Sequence, residues 1–218
     1  MNMITQVENL VKIEMEKDSS GHDWYHVDRV RKMALVLSEK EGIGYSRTIE
    51  LAALLHDISD DKLNKSKEEG QRRLAHILDC LSIDRKEKDH IVEIIATVGF
   101  KGGKGDSPKC MKAKIVQDAD RLDAIGALGI ARTFAYGGHA GSPIYDPSLP
   151  IRDKITEEEY RKNRSSSIHH FYEKLLKIKN LLHTDSARKI AEERHLFMEY
   201  FLQEFYKEWN VQDEKYFN

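Results

Sequence analysis

Apolar residues recur at helical spacing along most of the chain, and no stretch alternates apolar with polar as a half-buried strand would. Val7, Leu10, Val11 and Met15 predict a helix over about 3–17. Asp18-Ser19-Ser20-Gly21 breaks it and offers caps for a second helix, about 22–40, whose buried stripe is Val27, Val30, Met33, Ala34 and Leu37. After the turn Glu41-Gly42-Ile43-Gly44, Ser46 can cap a central helix. Lys65 to about Cys80 reads as a polar-faced helix with Leu74, Ile77 and Leu78 inward. Asp84-Arg85-Lys86-Glu87 resembles a capping box, and the helix after it reaches about Val98.

A further helix is expected from Met111 to about Tyr136. Gly137 to Ile155 is irregular and long for a structureless connection, so a lid over substrate, a packing loop and a dimer contact are all open for it. Thr156-Glu157-Glu158-Glu159 has the types and spacing of a capping box, with a helix to about Leu182 behind it. Thr184 then caps a last helix that ends near Trp209. The expectation is an all-α single domain over 1–218, with about eight helices.

The central helix carries the chemistry. Five apolar residues, Leu51 to Leu55, run into His56-Asp57, and Asp60-Asp61 follow. A buried helix that ends in an imidazole and carboxylates must find partners for them, because unsatisfied buried charge is expensive. A divalent cation off the helix end is one solution; His56-Asp57 as a C-terminal cap followed by solvated acids is the other, and this stretch alone leaves both open. Two further places attract attention. His26 lies within the second helix, and Asp118, Asp120 and Asp123 cluster in QDADRLDA, with Asp120 near the buried stripe.

Composition narrows the class. Charged residues are 33% and hydrophobic residues 40% of 218, which suits a globular chain with a full core. A net charge of −2 disfavours nucleic acid as a partner, so any phosphate-binding surface must be local. Cys80 and Cys110 are far apart and in no CxxC pattern, which fits a reducing compartment. No apolar run approaches the roughly 20 residues of a membrane span. The first residues lack a signal-peptide core, so a cytoplasmic location is expected. Gly99 to Asp106, GFKGGKGD, is not a nucleotide-binding P-loop, because Gly105 follows Lys104 where Ser or Thr is needed.

His26 in HVDRV, the doublet in LLHDISDD and Asp120 in DADRLDA, in that order and on helices, resemble the HD-domain metal-dependent phosphohydrolases. The motifs span about 20–130, and the helices of about 156–210 look like those of small bacterial HD hydrolases acting on nucleotides. The resemblance implies that His26, His56, Asp57 and Asp120 hold one divalent ion in a helical bundle. Two imidazoles and two carboxylates make a mixed nitrogen–oxygen site suited to Mn, Fe, Co or Zn, with Ni or Mg as alternatives. Mn²⁺ is favoured because family members commonly use it. No paired histidine stands near His90, so a single ion is expected.

The remaining assignments keep their alternatives. Alarmone (ppGpp) hydrolases of this superfamily carry an acidic pair at the offset of Asp60-Asp61, which implies that Asp60, and less so Asp61, orients or deprotonates the attacking water. Solvated acids are the other reading, and Asp60 is shorter than the family's Glu. Arg29 can bind a phosphate or pair with an acid. His22 can sit behind the ligands or merely start a helix. Lys62, Lys101 and Lys104 can meet a polyphosphate or remain surface lysines. The resemblance implies hydrolysis of a phosphoester or phosphoanhydride in a nucleotide or another phosphorylated small molecule, as a nucleoside triphosphate pyrophosphohydrolase or a nucleotide phosphatase. An alarmone hydrolase and a metal-stabilised nucleotide-binding module are the rivals. A homodimer is compatible with the sequence.

Overall fold

Nine α-helices and one 3-10 helix are found among the described residues, with no strand. They are α1 (Met3–Met15), α2 (Trp24–Lys40), α3 (Arg47–Leu55), α4 (Lys67–Asp79), α5 (Arg85–Val98), α6 (Met111–Asp123), α7 (Gly126–His139), α8 (Ser167–Glu173), the 3-10 helix Leu175–Leu181, and α9 (Asp185–Trp209). The computed structural model describes residues 2–15, 23–60, 63–99, 107–152 and 165–212. The Thr156–Glu159 capping box and most of GFKGGKGD lie outside them.

Helix α3 is the axis of the bundle. Every residue from Thr48 to Leu55 is buried, and the helix packs against α1, α2, α5 and α6. A short helix with no polar face cannot sit on a surface, so its neighbours must enclose it. Arg31 of α2 ties the enclosure together by donating to Glu8 of α1 and, at 2.8 Å, to the buried Glu50 of α3. One apolar cluster runs from Ile4 to Leu202, so the chain is one domain.

Most helix starts obey capping chemistry. Ser46, Ser66, Asp84 and Thr184 each accept a bond from the backbone N–H three residues on, which offsets an orphaned donor of the first turn. Asp23 caps α2 by accepting from the His26 N–H at 2.8 Å, so the cap lies beyond the Asp18–Gly21 run expected to supply it. Asp118, fully buried, accepts from the Thr184 N–H at 2.7 Å, the Thr184 hydroxyl at 2.8 Å and the His183 N–H. It therefore anchors the start of α9 on α6.

Two expected helices are broken, and both breaks matter for the site. The helix expected over 111–136 divides into α6 and α7. Ile125 is extended (φ −127°, ψ 166°) and Gly126 takes φ +76°, a left-handed conformation that a side chain disfavours. The chain turns there, and α7 packs against α8 and α9. The helix expected up to Leu182 also ends early. At Lys174 the backbone leaves the α region (φ −136°, ψ −59°) and continues as the 3-10 helix.

The described part of the 137–155 loop is anchored at Pro143, Ile144 and Tyr145. The Ser167 and Ile168 N–H groups donate to Pro143 and Ile144 carbonyls at 3.0 Å. The Tyr145 ring lies against His169, Phe205, Tyr206 and Trp209, with centroids 4.9–5.8 Å apart. No helix among the described residues is long and apolar enough to cross a membrane.

Gly126→Ala is expected to lower stability by about 1–2 kcal/mol through the left-handed conformation alone. The new Cβ would also meet the Arg194 side chain at 2.9 Å. A urea titration should show a lower midpoint with an unchanged slope.

Candidate metal centre

Three helices bring four acceptor groups to one point. His26 stands in the first turn of α2, at the buried end fixed by the Asp23 cap. His56 and Asp57 follow the last turn of α3, where the buried run Leu51–Leu55 leaves them inside the protein. Asp120 is on α6 with its side chain 27% exposed, so the centre opens on Asp120's side. The His26 and His56 Nε2 atoms are 3.3 Å apart. The two Asp57 carboxylate oxygens lie 3.4 Å from His26 Nε2 and 3.3 Å from His56 Nε2. Asp120 Oδ1 is 3.6 and 3.8 Å from the same two nitrogens.

The spacings among His26, His56 and Asp57 fit one ion, and Asp120 stands a few tenths of an ångström further out. Donors held about 2.0–2.2 Å from a metal lie roughly 3.0–3.4 Å from one another when adjacent in its shell. The donor chemistry fits as well. His56 Nδ1 donates to the Ala53 carbonyl at 2.8 Å, and His26 Nδ1 donates to Asp123 at 2.7 Å. Each ring thus spends its Nδ1–H outward and turns the Nε2 lone pair inward. Two lone pairs and two carboxylates facing one another are mutually repulsive unless a cation lies between them. Burial lowers the pKa of His26, but the Asp123 and Asp57 carboxylates outweigh it and hold it at about 9. Without a metal, a proton on His26 is that cation.

Asp123 organises the wall behind His26. It accepts from Arg29 Nε at 2.7 Å and Arg29 Nη2 at 3.1 Å, and from Arg132 Nη1 at 2.8 Å. Burial pushes its pKa up, yet the His26 and Arg29 bonds hold it well below the usual carboxylate range. A carboxylate behind a ligating imidazole fixes its tautomer and strengthens it as a donor. Of the two roles open to Arg29, the structure therefore shows the ion pair with an acid. Asp123 and Asp120 share a face of α6 because they are three residues apart. The sequence could signal that much, but not that Arg132 would reach back to Asp123. That contact needs the turn at Gly126.

Asp60 lies beside the centre, on the turn after α3, where its N–H donates to the Asp57 carbonyl at 3.0 Å. Burial pushes the Lys174 pKa down to about 8, against the pull of Asp120 and Asp60. Nothing in the lysine-rich run around Lys174 distinguishes it in sequence. His22, Asp61, Lys62, Lys101 and Lys104 lie outside the described residues. His139 is exposed, and His90 lies 3.5 Å from Cys110 Sγ, away from the centre.

The HD domain family profile matches residues 23–125, a span that holds all four inward-facing groups. This chain belongs to the HD-domain superfamily of hydrolases. An HD-superfamily hydrolase from Bacillus thuringiensis is 48% identical in its crystal structure, with a TM-score of 0.73 over 95% of this chain and 96% of its own. A Lactobacillus plantarum crystal structure reaches a TM-score of 0.86 at 34% identity, covering 96% and 97% of the two chains. The uncharacterised protein YpgQ of Bacillus subtilis is 36% identical over 93% of this chain and 92% of its own. The crystal structure of YpgQ in complex with ADP has a TM-score of 0.74 at 33% identity, over 94% of this HD chain and 97% of that one.

Two outcomes follow for the HD centre. Asp123→Asn should weaken Mn²⁺ binding by about 10- to 100-fold while circular dichroism stays unchanged, because the support of His26 is lost. Mn²⁺ must also displace the His26 proton, so affinity should rise with pH toward about 9, by about tenfold per unit for one proton. In the metal-free protein the sign is opposite. His26 is held above its ordinary 6.5, so its contribution to stability is complete below that pH and is lost as pH rises through about 9. Calorimetry in two buffers of different ionisation enthalpy, beside melting curves with and without Mn²⁺, checks both.

Proposed function

We propose that this HD hydrolase cleaves a phosphoester or phosphoanhydride bond of a nucleotide, as a (deoxy)nucleoside triphosphate pyrophosphohydrolase or a nucleotide phosphatase, with one divalent ion, Mn²⁺ favoured. The observation that carries the reading is the convergence of His26, His56, Asp57 and Asp120 with their lone pairs turned inward. The ADP complex of YpgQ supports a nucleotide as the substrate class.

His26, His56, Asp57 and Asp120 would hold the ion. Bound there, a divalent ion polarises a phosphate oxygen and makes hydroxide available near neutral pH. Asp57 keeps both carboxylate oxygens close to the imidazoles, so it is a ligand and not a base. Asp60, on the turn that follows Asp57, accepts the proton of the attacking water. Asp123 and Ala53 keep the imidazoles in the ligating tautomer. Arg29, bound to Asp123, contributes through the wall and not through the phosphate.

Nucleotides should be screened with Mn²⁺, and phosphate and pyrophosphate release measured separately. Pyrophosphate points to cleavage between the α and β phosphorus atoms, and phosphate alone to a phosphatase. Asp60→Ala should keep Mn²⁺ and lose about 10²–10⁴-fold in turnover, as for removal of a general base. Asp57→Ala should lose both. If Asp60→Ala changes nothing while Asp57→Ala unfolds the protein, the reading of the ion as structural, in a binding module, gains.

A further inference from the structure

Arg132 is held by one end of its guanidinium. Nη1 donates to Asp123 Oδ2 at 2.8 Å and reaches the Asp123 carbonyl at 3.5 Å. Nε and Nη2 make no hydrogen bond among the described residues. Those two nitrogens form the side-on fork with which an arginine grips two oxygens of a carboxylate or a phosphate at once. Arg29 spends its fork on Asp123, and Arg152 spends its own on Glu173. In Arg132 the fork is unspent, and the side chain is 20% exposed, so it meets solvent.

Asp123 cannot use more of Arg132. Its carboxylate accepts once from His26, twice from Arg29 and once from Arg132, which fills its acceptor sites. Arg29 alone spans both oxygens, so the charge of Asp123 is matched before Arg132 is counted. The second guanidinium is surplus positive charge with an open fork, the arrangement by which arginine recognises phosphate.

Arg132 also stands next to the opening of the metal centre. The centre opens at Asp120, and Asp123 follows on the same face of α6, roughly 4.5 Å further along its axis. The His26 ring separates the two groups: Asp123 binds its Nδ1 edge, and the other ligands face its Nε2 edge. A phosphate on the ion and a group on Arg132 are therefore neighbours and not the same group. The carrier is rigid. Thr133 Oγ1 donates to the Gly129 carbonyl at 2.8 Å, and the Phe134 ring lies against Phe201 and Phe171, with centroids 5.9 and 6.3 Å away. A guanidinium on such a helix loses little freedom when it meets a ligand.

We propose that the Nε–Nη2 fork of Arg132 binds the phosphate next to the one at the metal centre, so that the substrate carries at least two linked phosphates. The proposal rests on the reading of the centre as a phosphohydrolase site and narrows its substrate class.

Arg132→Met and Arg132→Gln remove the fork, and Arg132→Lys keeps the charge without it. Calorimetry gives the affinity for Mn²⁺ and, on the Mn²⁺-loaded proteins, for orthophosphate and for methylenediphosphonate, whose carbon bridge cannot be hydrolysed. In whichever neutral variant keeps the wild-type melting transition, Mn²⁺ and orthophosphate affinities should stay within about threefold, because Arg29 still holds Asp123. Methylenediphosphonate affinity should fall about 10- to 100-fold, the effect of losing charged hydrogen bonds. Arg132→Lys should recover only part of that loss. Unchanged methylenediphosphonate affinity overturns the proposal. An equal loss of orthophosphate affinity overturns it too, because the fork would then serve the phosphate on the ion. So does an equal loss of Mn²⁺ affinity, or unfolding of both neutral variants, either of which assigns Arg132 to the support of Asp123 alone. The wild type decides the underlying reading independently. If it releases neither phosphate nor pyrophosphate from any nucleotide, the hydrolase reading falls, while the binding comparison still decides on Arg132.

Discussion

Four acceptor atoms pointed at one another inside a protein are the constraint on which this structure turns. His26, His56, Asp57 and Asp120 come from three helices, and the two imidazole Nε2 atoms lie 3.3 Å from each other and 3.3–3.8 Å from the carboxylate oxygens. With both imidazoles neutral and their Nδ1–H groups turned outward, nothing in that set donates inward. Such a cluster is stable only around positive charge, so folding and cation binding are coupled through the same residues. The surrounding architecture holds the cluster closed. Helix α3, buried from Thr48 onward, delivers the doublet from the centre of the bundle, and α2 and α6 pack against it.

A second layer of charge balances the first. Asp123 is shared by His26, Arg29 and Arg132, and its side chain is only 5% exposed. One carboxylate against two guanidiniums leaves positive charge behind an acidic centre, which offsets part of the repulsion between Asp57 and Asp120. Burying such a network costs desolvation, and apolar packing would hold the helices together as well. Its presence is better explained by the demand to fix the His26 ring than by stability.

Much of this was legible in the sequence. The periodicity predicted the helices, and Ser46, Asp84 and Thr184 marked starts that the structure reproduces. The order of His26, His56-Asp57 and Asp120 named the groups that meet. The illegible parts have a common cause. Gly126 lies within a continuous helical pattern, and a single glycine in such a pattern is ambiguous until its φ is known. The break at Lys174 has no glycine or proline to announce it. Arg132 acts across the first of those breaks, so a reading that kept that helix straight could not bring it to Asp123. Arg29 shows the converse. Its place one turn from His26 was readable, but its partner was set by α6, more than ninety positions later in the numbering.

The division of labour between the halves of the chain follows from the same geometry. The HD profile ends at residue 125, where the chain turns into Gly126. All the inward-facing acceptors precede that turn. Arg132 comes after it. The first half therefore builds the acceptor cluster, and the second half returns Arg132 to the carboxylate behind it. YpgQ and the Bacillus thuringiensis hydrolase align with this chain across both halves and not over the motif region alone. An acceptor cluster needs a cation to be satisfied and a rigid wall to keep its imidazoles in place. Arg132 reaches back from α7 to Asp123, so the helices after Gly126 complete the support of His26 that the HD motif begins.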